Sequence, residues 1–304
     1  MLRDQFGGVA RHGRPPWTLE IGTFSDYTWG RVMTRRAMPM IYTDTNVLRY
    51  FGTAFASSSV PADIQVELLL APLALMELLS QLGTPGAAEA CAAIHALPHV
   101  HNPERTGLLP WSDDLFRIAV FNLPPGEDTI TPALNNAVVN VLNAATPEEL
   151  HEDGEAMRTL LDQAKDEAAN NFSALLNDWR SEGPLDEAQH RAIFARSIAR
   201  RAGVDETHVA VDSVVRSLEA HYVFESQRMQ IAARSRDYNV GKHSNDVYDA
   251  ELLIYLAAPD LHLLTSDKGF ARFTGSSQFS RVHIVEAACL QNPETASRVL
   301  RNIT

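Results

Sequence analysis

Apolar positions follow two different spacings in the stretch that begins at residue 40. Short apolar runs without a helical period predict buried strands, and runs with apolar residues three or four apart predict helices. In chain order these are a strand at 40–44, a helix at 47–55, a strand in VELLLAP, a helix at 73–82 after Pro72, and a strand at 98–101. Alternating strands and helices are typical of an α/β fold with a parallel sheet.

The pattern changes between residues 103 and 235, where apolar residues recur only at helical spacing. In TPEELHEDG, Thr146 and Glu149 have the spacing of a capping box at the start of a long helix. LDEAQHRAIFARSIARR predicts a second helix, and Asp205 is placed to cap a third that runs to about residue 236. We interpret 103–235 as an all-helical insertion.

The alternation of strands and helices resumes after this block. SNDVYDAELLIYLA predicts a helix, LHLLT a strand, SDKGFARF a turn with a short helix, and RVHIV a last strand. Without the insertion and the first 39 residues, about 130 residues remain in two pieces, which is the size of one compact domain. The predicted organisation is a poorly structured leader (1–39), a first core part (40–102), the insertion (103–235) and a second core part (236–304).

Composition narrows the classes of protein that fit this pattern. Hydrophobic residues make up 45% of the chain, but no apolar run reaches the roughly 20 residues of a membrane helix, so we expect no membrane association. Two distant cysteines favour neither a disulfide framework nor a zinc knuckle, and a cytoplasmic location is the default expectation. A net charge of −12 argues against a general nucleic-acid coat, but not against a nuclease whose metal ions carry the positive charge.

Two acidic residues follow predicted strands. Asp44 ends the first strand, and Asp267 comes two residues after LHLLT. If the two strands are parallel neighbours, both acids lie at the carboxyl edge of the sheet, where open α/β folds place their sites.

Three further acids lie on predicted helices. Glu77 interrupts the apolar run LALMELLSQL, where an unpartnered carboxylate is costly, although it could also lie at the solvent edge of its helix. Asp246 and Asp249 are three residues apart and share a helix face, whereas Glu251 is rotated by about 200° from Asp249. Carboxylates that converge are tolerated where divalent cations bridge them, and all-oxygen ligation suits Mg²⁺ or Mn²⁺.

The segments that carry these acids resemble the PIN domain family of metal-dependent ribonucleases. YTDTNVLRYF, the Glu of LAPLALMELL, NDVYDAELLIYLA and LLTSDKGF stand in the order and contexts of that family's motifs. The resemblance implies a three-layer α/β sandwich with a central parallel sheet. It also implies a Mg²⁺ or Mn²⁺ site with the acids Asp44, Glu77, Asp249 and Asp267, with Asp246 as a fifth acid, and Asn46 and Thr265 as residues that orient them by hydrogen bonds.

The same resemblance implies what the protein acts on. The substrate would be RNA, the role that of a toxin–antitoxin or RNA-processing nuclease, and a partner an antitoxin or other protein that fills the cleft; a homo-oligomer stays open. Lys242, His243 and Lys268 lie near the acids in sequence and are candidates for contacts with substrate phosphates. The helical insertion of more than a hundred residues is a departure from the small toxin members, which consist of little more than the core.

Other readings of these residues stay open at this point. A haloacid dehalogenase-type phosphohydrolase also begins with an Asp at a strand end, but it needs a second Asp two residues on, where this chain has Asn46, which cannot shuttle a proton. A non-catalytic PIN-like module that binds nucleic acid or protein is the main alternative. The arginines of HRAIFARSIARR either grip a phosphate backbone or form a solvated helix face.

Overall fold

A computed structural model describes most of the chain after the leader. The described residues are 40–56, 60–61, 64, 67–100, 108–126, 131–144, 146–183, 185–235, 237–240, 246–273 and 275–303. The predicted leader at 1–39, and Lys242 and His243, lie outside the described residues.

Four short strands form one parallel sheet in the order β2-β1-β3-β4. They are β1 Met40–Thr43, β2 Glu67–Leu69, β3 Leu261–Thr265 and β4 Val282–Ile284. Strand β1 pairs on both sides, with Tyr42 opposite Leu69 of β2 and Leu263 of β3. Because a central strand of a covered parallel sheet is buried on both faces, β1 is apolar nearly throughout and its sequence does not alternate.

Helices make up the greater part of the described chain. They are α1 Thr45–Ala54, α2 Pro72–Leu79, α3 Ala87–Val100, α4 Ser112–Leu115, α5 Thr131–Asn143, α6 His151–Glu182, α7 Glu187–Arg201, α8 Val211–Ser217, α9 Glu219–Arg234, α10 Asp246–Ile254, α11 Ala287–Leu290 and α12 Pro293–Ile303. The α/β class predicted from the sequence is therefore confirmed, with a small parallel sheet in a mainly helical protein.

Apolar side chains cover both faces of the sheet. Met40 and Tyr42 point to one face and belong to the larger core cluster, whereas Ile41 points to the other face and packs with Phe51 and Leu300. The alternation of side chains along a strand assigns successive residues of β1 to opposite layers.

The helices between residues 131 and 234 share a core with the sheet. Leu134 of α5, Leu161 of α6, Phe194 of α7 and Phe224 of α9 are all in the same buried cluster as Tyr42. The division of the chain into a split core and a helical insertion stays a prediction.

Three local predictions are wrong. Helix α3 runs through Val100, so the predicted strand at 98–101 does not form as far as the structure describes it; the alanine-rich run before Pro98 favours continued helix. Thr146 makes no side-chain capping bond, and a 3₁₀ turn precedes α6. The third helix of the insertion is divided into a 3₁₀ turn capped by Asp205, α8 and α9, with a break at the fully buried Leu218.

Helix α6 is anchored across the end of α2 by a close backbone approach. A β-carbon on Gly154 would overlap the carbonyl oxygen of Leu82, so only glycine permits this approach. One turn later, Arg158 Nη2 donates to the carbonyl oxygens of Ser80 and Leu82, both at 3.1 Å. Carbonyls at a helix end have no intrahelical partner, and the guanidinium satisfies them.

Replacing Gly154 by alanine is expected to destabilise the protein by about 2 kcal/mol, because α6 must move away from Leu82. The direction of this stability change is informative, because alanine is a better helix former than glycine by about 1 kcal/mol and would stabilise an unconstrained helix. Urea unfolding followed by circular dichroism measures the change. Asn170→Ala, at an exposed position of the same helix, should be neutral or slightly stabilising; equal stability gains in both variants would contradict the close approach.

In the part of the chain that the structure describes, no helix is both long enough and apolar enough to cross a lipid bilayer.

Candidate active site at the carboxyl edge of the sheet

Asp44 is held at the junction of β1 and α1. It is the N-cap of α1, where its Oδ1 accepts a hydrogen bond from the Val47 amide at 2.7 Å, and its Oδ2 accepts one from the Thr265 hydroxyl at 2.5 Å. Its side chain is buried. Burial raises the pKa of the Asp44 carboxyl, although the bonds from Thr265, Val47 and the Ser266 amide oppose the rise. Asp44 thus caps a helix and also lies at the end of a strand.

Thr265 joins the two strand-end acids. Its hydroxyl donates to Asp44 and accepts a hydrogen bond from the Asp267 amide at 3.0 Å. Asp267 itself is exposed and caps the following 3₁₀ turn, with Oδ1 accepting from the Gly269 amide at 2.6 Å. Because β1 and β3 are parallel neighbours, their carboxyl ends bring Asp44 and Asp267 to the same edge.

Glu77 on α2 reaches the same edge through the residue after Asp44. The Thr45 hydroxyl donates a short hydrogen bond to Glu77 Oε2. Burial raises the pKa of the Glu77 carboxyl, as does the nearby charge of Asp44, whereas the Thr45 bond and the cations Lys165 and Arg49 oppose the rise. Glu77 therefore faces the acids rather than the outer solvent.

Asp249 on α10 lies among the other acids. Burial, followed by the negative charges of Asp267, Asp246, Asp44 and Glu77, raises the pKa of Asp249 to about 8. Five carboxylates from four separate segments thus lie near enough to interact electrostatically. Asp246, also on α10, has Oδ2 at 3.8 Å from Nε of the buried Arg228.

The side chain of Glu251 points away from this edge, as its helical spacing predicts. Both of its carboxylate oxygens accept bonds from Arg201 of α7, at 2.6 and 3.0 Å, and Arg201 also contacts Asp113. Arg200 pairs with Glu206 and Arg191 with Asp212. The arginines of α7 are thus largely engaged in ion pairs, which favours the interpretation of this helix as a structural and solvated face.

The acids are close but are not arranged as ligands. Within the described residues, no group of three or more histidine, cysteine, aspartate or glutamate side chains could hold a metal ion as they stand. Carboxylates that lie close together repel one another. The donor set is nonetheless all oxygen, which fits Mg²⁺ or Mn²⁺, and its mutual repulsion is of the kind that a divalent cation relieves.

The residues predicted to support the acids differ in their placement. Thr265 orients Asp44 as expected. Asn46 is exposed, and in the described part of the chain its side chain makes no hydrogen bond to an acid. Lys268 is also exposed and forms an ion pair with Glu286 at 3.5 Å, so its ammonium is directed to Glu286.

Four residues near the acids were not identified from the sequence: Thr45, Arg49, Lys165 and Arg228. Thr45 had a signal, since it is a hydroxyl residue directly after the strand-end acid. The other three residues had no such signal in the sequence. Lys165 and Arg228 approach the edge through the packing of α6 and α9 against the core.

A cavity of about 270 Å³ lies on another face of α10, between that helix, α6, α7 and α9. Its lining includes Phe172, Trp179, Phe194 and Arg228. The Arg228 guanidinium stacks over the Phe172 ring at 4.0 Å and pairs with Glu225 at 3.2 Å. Arg228 thus connects this cavity to Asp246 and is a residue that positions that acid rather than part of the carboxylate edge.

The chemistry that this edge offers is that of carboxylate oxygens brought near one another, which is the donor type that divalent cations prefer. Comparison with protein families, curated protein sequences and solved structures finds no significant match to this chain, so the site is interpreted from its own geometry.

Proposed function

We propose that the chain is a metal-dependent endoribonuclease with a PIN-like three-layer α/β core. The observation that carries the proposal is the convergence of Asp44, Glu77, Asp249 and Asp267, from four separate elements, at the carboxyl edge of β1 and β3. Such a convergence is unfavourable for stability, which makes a functional role the better explanation.

In this proposal the four acids hold Mg²⁺ or Mn²⁺, with Asp246 as a further ligand. When bound, two such ions supply a hydroxide nucleophile and stabilise the attacking and leaving oxygens of a phosphodiester displacement. Thr265 and the Val47 amide fix the orientation of Asp44, and Thr45 fixes that of Glu77. Asp249 would hold the cation as a carboxylate, since a bound cation would offset the neighbouring negative charges that raise its pKa.

The biological setting belongs to the same proposal. The substrate is RNA, the location is the cytoplasm, and the role is that of an RNA-processing nuclease or of a toxin held by a protein antitoxin. The alternative is a non-catalytic PIN-like module that binds nucleic acid or protein, and it differs in predicting RNA binding without hydrolysis.

Metal removal tests the proposal directly. The full chain is incubated with end-labelled single-stranded RNA of mixed sequence, with Mn²⁺ or Mg²⁺ in one series and EDTA in the other. We expect cleavage products only with the metal, and a rise in the melting temperature on addition of Mn²⁺, since a ligand of the folded state stabilises it. Binding of RNA without cleavage at any metal concentration would favour the non-catalytic module, and cleavage that persists in EDTA would exclude a metal-dependent site.

A further inference from the structure

One face of α6 lies along the carboxylate edge. Gly154, Arg158, Leu161 and Lys165 follow one another at intervals of four, three and four residues, which places them in one row on the helix. The first two pack against the end of α2. Further along, the Leu161 carbonyl accepts a hydrogen bond from the Tyr248 hydroxyl of α10 at 2.9 Å. Helix α6 therefore spans from Glu77's helix to that of Asp249.

Lys165 is placed by this row beside the acids. Its ammonium lies 4.9 Å from the centroid of the Tyr248 ring, the residue next to Asp249. Its positive charge also opposes the rise in the pKa of Glu77, as does the charge of Arg49 on α1. The side chain is half-buried, as is common for a lysine whose apolar stem packs while its charged end stays accessible.

The donors of Lys165 are not consumed within the described residues. No ion pair or hydrogen bond joins its ammonium to any of them, and an ammonium has three N–H donors. Lys268, by contrast, is paired with Glu286, and Arg228 of α9 is paired with Glu225. A cation held beside an acidic edge and short of anionic partners is suited to a phosphate.

We propose that Lys165 forms a phosphate subsite at this edge, which binds a phosphodiester of single-stranded RNA next to the one that is cleaved. The inference rests on the proposed function and extends it to the helical region, since α6 then completes the active site of the sheet. The acids alone would repel the RNA backbone, and a fixed cation beside them provides the attraction that places the substrate.

The test separates substrate binding from packing. Lys165→Met keeps most of the stem and removes the charge, and Lys165→Arg restores a charge. Arg196→Gln removes a charge from an exposed site whose side chain, within the described residues, bonds only its own helix. With Mn²⁺, we expect Lys165→Met to raise KM about tenfold with kcat within about twofold, because a contact made equally in ground and transition states is lost. The slope of log(1/KM) against log salt should become shallower by about 0.7, the value for one phosphate contact on a single strand.

Arginine at position 165 should recover most of the affinity, and Arg196→Gln should match the wild-type chain. An unchanged KM and salt slope in Lys165→Met would overturn the subsite, as would changes no larger than those of Arg196→Gln.

If the wild-type chain does not cleave RNA, the nuclease proposal fails separately, and fluorescence anisotropy of RNA binding decides the subsite. Weaker binding by Lys165→Met with a shallower salt slope supports it, and equal binding or none overturns it.

Discussion

Replacing Asp44 by asparagine is expected to reduce metal-dependent RNA cleavage at least about a thousandfold while the fold is retained. Asparagine is as good an N-cap as aspartate, since its carbonyl oxygen can still accept the bond from the Val47 amide, while its NH2 group, which cannot accept, replaces the oxygen that faces the Thr265 hydroxyl. It carries no charge, so the proposed metal site would lose its most buried ligand and several kcal/mol of charge stabilisation in the transition state. Each 1.4 kcal/mol corresponds to a tenfold change in rate.

A matched control is available on α7. Asp186 is also an N-cap, with Oδ1 accepting from the Gln189 amide at 2.7 Å, but it lies on another helix and is exposed. Asp186→Asn should cleave RNA like the wild-type chain, and Asp267→Asn should lose activity like Asp44→Asn. Single-turnover cleavage rates and urea unfolding on the same samples measure both effects. Activity of Asp44→Asn within threefold of the wild-type value would remove Asp44 from the active site.

The sequence was most informative where local chemistry determines position. Asp44 and Asp267 could be assigned to one edge because β1 and β3 are short apolar runs, and parallel strands bring their carboxyl ends together. The helical interval between Asp246 and Asp249 likewise predicted a shared face, and the pairing of Glu251 with Arg201 on another face agrees with it. These inferences needed only strand direction and the period of a helix.

Contacts between distant segments could not be read in this way. Lys165 follows Glu77 by 88 positions, and its approach depends on the backbone contact of Gly154 with Leu82 and on the carbonyls that Arg158 satisfies. No periodicity encodes those contacts, because each depends on how α6 packs on α2. The same limit explains Asn46, whose sequence position beside Asp44 suggested a supporting role, whereas the start of α1 turns its side chain to solvent.

Asp249 is expected to make the metal-free protein less stable as the pH rises, and Asp249→Asn to remove much of this loss. In the folded protein, burial and the four neighbouring carboxylates raise the pKa of Asp249 to about 8, from an ordinary value of 3.8. Between these values the folded chain keeps a proton that the unfolded chain has released. Stability therefore falls with rising pH, by up to about 1.4 kcal/mol per unit, and we expect a loss of about 3 kcal/mol between pH 5 and pH 8.

The comparison of two chains isolates this contribution. Burial lowers the pKa of His190, His221, His262 and His283, which makes the protein more stable as pH rises through their range and would mask part of the loss. These histidines are common to the wild-type chain and Asp249→Asn, so the difference between their unfolding free energies reports the acid. That difference should grow from pH 5 to pH 8 in EDTA and shrink in saturating Mn²⁺, where the cation takes the place of the proton.

Urea unfolding at each pH gives the values, with Asp186→Asn expected to follow the wild-type chain. If the curves of the wild-type chain and Asp249→Asn run parallel over this range, Asp249 is not among converging carboxylates, and the basis for a cation site at this edge is lost.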